Sequence, residues 1–103
     1  MMNIEQMIFE IIASAGDARD LTYQALDNVN EGKIEEAYEL IEQAEKTMNA
    51  AHNAQTKLIQ SEVQGKKIDG GLLMIHAQDH MMTAIAENQM VKRMLPIFEK
   101  LLK

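Results

Sequence analysis

The chain has three histidines and no cysteine, and two of the histidines stand together in Leu73-Met74-Ile75-His76-Ala77-Gln78-Asp79-His80-Met81-Met82. Residues three and four apart share one face of a helix, so a helix here places His76, Asp79 and His80 on a single patch that Thr83 and Glu87 continue. Two imidazoles and a carboxylate support two kinds of chemistry. The first is phosphoryl transfer. A neutral imidazole is a good nucleophile toward phosphorus near neutral pH, since its unperturbed pKa of about 6.5 leaves most of it deprotonated. Gly70 and Gly71 precede the segment, which puts His76 about one turn into the following helix, close to the amide end that favours an anion. A phosphoryl group on His76 is such an anion, and His80 would hydrogen-bond it or offset its charge. The second chemistry is metal-dependent hydrolysis. The segment reads H-x-x-D-H, one methylene short of the H-x-x-E-H helix of some zinc hydrolases, and two histidines at i, i+4 can bind zinc beside a carboxylate base. Against it, a catalytic zinc wants a third protein ligand, and a chain of 103 residues leaves little room for a walled cleft. The same residues also fit ordinary core or interface roles in a helical adaptor with no chemistry. His52 reads as a structural polar contact.

The elements that position this patch are legible in the spacing of apolar residues. Five glycines and one proline in the chain are about half the usual share, too few breakers for a many-turned β sandwich, and the length is that of one domain, residues 1–103. From Asn3 to Asn30, Ile4, Ile8, Ile11, Ala15, Ala18, Thr22, Ala25 and Val29 recur at spacings of three and four, which predicts a first helix over about 3–30, stopped at Glu31-Gly32. Ile34, Ala37, Ile41, Ala44, Met48, Ala51, Gln55 and Leu58 predict a second over about 33–63, with Glu35, Glu36, Glu39, Glu42 and Glu45 forming a solvated acidic face. Residues 64–71 hold three of the five glycines and read as a loop. Leu73, Ala77, His80, Ala84, Glu87, Val91, Met94, Phe98 and Leu101 predict a third helix over about 72–102, kinked or ended early at Pro96. Helices of about 28 residues run about 42 Å, long for so small a chain, and the stripes carry Gln55, His80 and Glu87 at core spacing. Polar groups inside a bundle are costly unless partnered, so the spacing points to a homo-oligomer. Ala15, Gly16 and Ala18 point to close helix approach, with Asp17 and Arg19 reaching other helices or subunits.

The balance of 10 basic against 16 acidic residues, net charge −6, excludes nucleic acid as a partner: no basic cluster exceeds Lys66-Lys67 or Lys92-Arg93. Missing cysteine excludes disulfide scaffolds, thiol nucleophiles and Cys-ligated metals. Met1 to Gln6 lacks the basic region of a secretory signal, and no run approaches the roughly 18 apolar residues of a spanning helix, so a cytoplasmic location is expected.

Ala15-Gly16-Asp17-Ala18-Arg19, Ala51-His52-Asn53-Ala54-Gln55-Thr56 and, most specifically, His76-Ala77-Gln78-Asp79-His80 followed by Met82-Thr83 give the chain a further significance. Over nearly its whole length it resembles the IIA component of the lactose/cellobiose class of the bacterial sugar phosphotransferase system. The resemblance implies an all-α, antiparallel three-helix bundle assembling as a homotrimer. It implies that His76 accepts a phosphoryl group at Nε2 from the phosphocarrier protein HPr and passes it to a cysteine of the IIB component, during uptake of a lactose-, cellobiose- or chitobiose-type disaccharide through the membrane IIC component. Such a chain is a transferase component with a phosphohistidine intermediate and no free-standing turnover. By the same resemblance Asp79, contributed by three subunits, holds a divalent cation such as Mg²⁺ on the threefold axis, where three carboxylates would otherwise repel one another. Gln78 and His80 are implied as supporting residues of the phosphoryl site. The chain departs from the family pattern at Met81, where leucine is commoner and the change conserves volume, and at Pro96. Nine methionines, with Met74, Met81 and Met82 flanking the patch, either fill the core or let one surface accept two unlike partners in turn. Without cysteine this chain can be the histidine carrier but not the cysteine carrier that follows it.

Overall fold

The computed structural model describes residues 3–68 and 71–103. Met1, Met2, Asp69 and Gly70, the last two from the expected loop 64–71, lie outside the described residues. Three helices carry the fold: α1 (Ile4–Asn30), α2 (Ile34–Val63) and α3 (Gly71–Leu102). Asn3 starts α1 with a capping box. Its side-chain oxygen accepts from the Gln6 amide at 2.7 Å, and the Gln6 side chain accepts from the Asn3 amide at 3.1 Å, satisfying two groups that a helix start leaves free. The ends of α1 and α2 share one device. Gly32 and Gly65 hold φ of +79° and +93°, and the residue after each donates back to a carbonyl in the last turn: Lys33 N to Asn28 O at 2.8 Å, Lys66 N to Ser61 O at 3.0 Å. That left-handed conformation carries almost no cost for glycine alone.

The three-residue link 31–33 turns α2 back along α1. At one end of the rod Ile8 and Ile11 pack with Ala54, Leu58, Ala77 and Met81; at the other Ala25 packs with Ala37, Ile41, Val91 and Leu95. The register makes α2 antiparallel to α1 and α3, which run parallel to each other. Alanines at 15, 18, 25, 37, 44, 51, 77 and 84 are fully buried, so the helix backbones approach closely at these positions. Between the two apolar clusters lie Thr22 and Asn88, both fully buried. Asn88 Nδ2 donates to Thr22 Oγ1 at 3.2 Å, and Thr22 Oγ1 donates to Ala18 O at 2.9 Å.

The predicted stripe of α1 is buried from Ile8 to Ala25, but the other two stripes need correction. On α2 Ala54 is buried between Ala51 and Leu58 in place of Gln55, which lies at the edge of the core. On α3 the core face is Ala77, Met81, Ala84, Asn88, Val91 and Leu95, one position round from the expected line through His80, Glu87 and Met94. The polar group inside the bundle is thus Asn88, while His80 and Glu87 are half-buried beside α1. Periodicity could not choose, because α3 is apolar on two faces: Leu72, Ile75, Met82, Met90 and Ile97 point away from the core and are each more than half exposed. Nor does α3 end early at Pro96. It runs on to Leu102, with Leu95 and Phe98 packed in the second cluster. On α2, Glu45 is not simply solvated: it pairs with Lys92 of α3 at 2.8 Å. Among the described residues, no helix is long and apolar enough to cross a membrane.

Candidate functional site

His76 lies in the second turn of α3 with its ring exposed. One turn further on, the ring of His80 lies parallel to it, with 5.9 Å between centroids and 8° between planes. His80 is half-buried against α1, and two residues of α1 make its seat. Gly16 lies against the ring: a Cβ there would stand 3.4 Å from His80 Nε2, in van der Waals contact. Arg19 supplies the bond: its Nη1 lies 3.3 Å from His80 Nδ1. A guanidinium has donors only, so Nδ1 accepts and the proton of the neutral imidazole is on Nε2. Arg19 is itself held from two sides, by Glu87 of α3 at 2.6 Å from Nε and by the Tyr23 hydroxyl at 3.3 Å from Nη2. Burial pushes the pKa of His80 below its ordinary value, with the Arg19 charge and the neighbouring His76 acting in the same direction; each disfavours the imidazolium.

Asp79 is exposed on the outer side of α3, where it lines an open cleft with Leu72, Leu73, Ile75 and His76. Thr83 Oγ1 bonds the Asp79 backbone oxygen at 2.8 Å. Gln78 points elsewhere. It lines a separate groove with Leu58, Ile59, Glu62, Ile68 and Met74 on the α2 side, so within one chain the structure brings His76 and His80 together, sets Asp79 beside them and leaves Gln78 apart. Met81 is buried, Met74 half-buried against the same core, and Met82 exposed. His52 is exposed, and only its backbone oxygen takes part in a side-chain hydrogen bond, accepted from Thr56 Oγ1 at 3.0 Å; among the described residues its ring makes no polar contact, contrary to expectation.

Sequence spacing puts Glu87 on the patch and Arg19 toward another helix, but does not join them. The only signal is a cation just after the small-residue stretch Ala15 to Ala18, and two of its partners, His80 and Glu87, lie more than sixty residues away. No group of three or more metal-ligating side chains forms among the described residues. The His76, Asp79 and His80 triplet does not make a zinc site in one chain, since His80 Nδ1 faces a guanidinium that would repel a metal ion.

Fold and site together define a small all-α bundle carrying an exposed histidine stacked on a half-buried second histidine. Residues 6–99 match the family model described as the PTS system, lactose/cellobiose specific IIA subunit. The lichenan-specific phosphotransferase enzyme IIA component of Bacillus subtilis is 38% identical over 98 residues, covering 95% of this chain and 89% of that protein; relatives at similar identity are named for lactose, oligo-β-mannoside and N,N′-diacetylchitobiose. The crystal structure of a cellobiose-specific enzyme IIA from Bacillus anthracis superposes with a TM-score of 0.91 at 40% identity, covering 98% of this chain and 93% of that one. The chitobiose IIA of Escherichia coli, solved in complex with HPr, superposes at 0.82 with 30% identity over the full length of both. The chain belongs to the lactose/cellobiose-specific IIA family of the sugar phosphotransferase system.

Proposed function

We propose that this chain is the cytoplasmic phosphoryl carrier of a sugar phosphotransferase system, with His76 as the residue that bears the phosphoryl group. The observation that carries the reading is the exposed His76 ring, stacked on a His80 whose Nδ1 is already occupied, in a chain of this family. In the forward step the lone pair on Nε2 of neutral His76 forms a bond to phosphorus as the donor's N–P bond breaks, and the electron pair returns to the donor imidazole. In the second step a thiolate of IIB attacks the same phosphorus and the pair returns to His76. HPr is the donor in this reading, supported by the complex solved for the chitobiose relative. No residue of the chain needs to change redox state or release a leaving group to water.

The functional unit is a homotrimer in which the outer face of α3, with Ile75, Met82, Met90 and Ile97 exposed, is covered by the same face of two other copies. Asp79 lies on that face and would be held there with two others by a divalent cation such as Mg²⁺, which offsets the three carboxylates. The cation takes no part in the transfer. His80 supports the phosphoryl group, and Gln78, remote from His76 within one chain, would serve only from a neighbouring copy. The sugar is a β-linked one, and its identity lies with the membrane component, as the varied specificities of the relatives accord with.

Incubation with the general proteins of the system and phosphoenolpyruvate is expected to add the mass of one phosphoryl group per chain, labile to acid, and none to His76→Ala. A wild-type chain that takes no phosphate would leave only the helical adaptor.

A further inference from the structure

We infer that Arg19 is the positioning residue of the phosphoryl site: it fixes the ring and tautomer of His80 so that the Nε2 proton of His80 is presented as a hydrogen-bond donor to a phosphoryl group on His76. The inference rests on the carrier reading of His76, and four contacts argue for it. The Arg19 fork is bound at both ends by side chains that are not part of the histidine pair, Glu87 at 2.6 Å and Tyr23 at 3.3 Å, so its position is set before it meets His80. Its remaining Nη1 meets His80 Nδ1 at 3.3 Å, and because arginine cannot accept, that contact admits only the tautomer with the proton on Nε2. On the other side of the ring, position 16 carries no side chain; a Cβ there would lie in van der Waals contact with Nε2, 3.4 Å away, so glycine keeps that edge of the ring free of a methyl group. Finally, the two imidazoles lie parallel, one over the other with an offset, their centroids 5.9 Å apart and their planes 8° from parallel. A phosphoryl group attached to one ring carries its oxygens above and below the plane of that ring, and His80 occupies one of those sides.

Arg19 does not act as a phosphate ligand here. Its charge is spent on Glu87, and its effect runs through His80. Such supporting contacts fix the orientation and tautomer of a functional histidine in the way that outer-shell partners do for metal-bound ones. An imidazole free to turn over would present Nδ1 or Nε2, with or without the proton, and would lose rotamer entropy each time it bonded the phosphoryl group.

The test compares wild type with Arg19→Met, Arg19→Lys and Glu87→Gln. Two readouts are needed: the ¹⁵N spectrum of the His80 ring in the unphosphorylated protein at mildly alkaline pH, and the half-life of the phosphohistidine after phosphorylation through HPr. Wild-type His80 is expected to show Nε2 protonated and Nδ1 as acceptor. Arg19→Met is expected to mix the tautomers and shorten the half-life several-fold, with Glu87→Gln doing the same to a smaller degree and serving where Arg19→Met fails to fold. Arg19→Lys keeps the charge without the fork, so it should recover the half-life only in part. A proton on Nδ1 of wild-type His80, an unchanged half-life in Arg19→Met, or complete recovery by lysine would each overturn the inference while leaving His76 as carrier. Failure of wild type to take phosphate would overturn the carrier reading itself, and this inference with it.

Discussion

His80 is the residue at which the physical chemistry of the site is most exposed to measurement. It is half-buried, its Nδ1 is committed to a cation, and a second imidazole stacks on it, three circumstances that all disfavour the imidazolium. Its pKa in the folded chain is therefore below the unfolded value of about 6.5. Between those two values the unfolded chain binds more protons than the folded one, so stability rises with pH there. The contribution is complete above about pH 6.5 and is lost as pH falls through the window toward the folded value. Thermal melts followed by circular dichroism should show the melting temperature of wild type falling on acidification through that window, and a shallower fall in His80→Gln, which cannot titrate. Equal slopes in the two proteins would mean that carboxylates elsewhere, and not the Arg19-held ring, govern the acid limb. Because the same ring supports the phosphoryl group in the proposed mechanism, acid should weaken fold and site together.

At the scale of elements, Pro96 is the sharpest local conflict. It removes a backbone donor inside α3 and crowds the preceding turn, yet the helix continues six residues beyond it, anchored by Leu95 and Phe98 in the core. Burial on either side outweighs the local penalty. Pro96→Ala restores the amide donor toward the Lys92 carbonyl and should stabilise the chain by about 1 to 3 kcal/mol, seen as a higher urea midpoint at unchanged slope. A lower midpoint would mean that the packing of Leu95 and Phe98 depends on the shape that proline imposes. The same competition between local rule and burial explains what could be read in advance. The stops at Gly32 and Gly65 were legible because a left-handed residue at a helix end is a local requirement, and the α1 stripe because that helix has one apolar face. On α3 two apolar faces offered periodicity two answers, and the line through His80 and Glu87 differed from the true core by a single position. His76, Asp79 and His80 shared a face by helical spacing alone, whereas the seat made by Gly16, Arg19, Tyr23 and Glu87 joins distant parts of the chain and has no local signature.

The molecule as a whole is a rod of 55 × 23 × 19 Å with a radius of gyration of 16.0 Å, larger than the roughly 13 Å of a compact chain of this length. A thin bundle has little interior, and much of what it could bury is left outside on α3. Ile75, Met82, Met90 and Ile97 lie along the face opposite the core, each more than half exposed, and the carboxylate of Asp79 interrupts them. An apolar stripe of that length on a helix already packed on its other side is the pattern of a second interface. Ile97→Glu places a charge in the stripe about 27 Å along α3 from Asp79 at 1.5 Å per residue, far from the histidines. On the proposed trimer, it should lower the mass in sedimentation equilibrium from three times the 11.6 kDa chain mass to that of the single chain, without unfolding it. Asp79→Leu should do the opposite: in the proposed trimer it replaces three converging charges by apolar contact, so the assembly should persist, melt higher and bind no divalent cation in metal titration. The two variants separate the causes of assembly. If Ile97→Glu stays trimeric, the outer face of α3 is not the interface; if Asp79→Leu falls apart, the carboxylates and their cation, and not the apolar stripe, hold the three chains together.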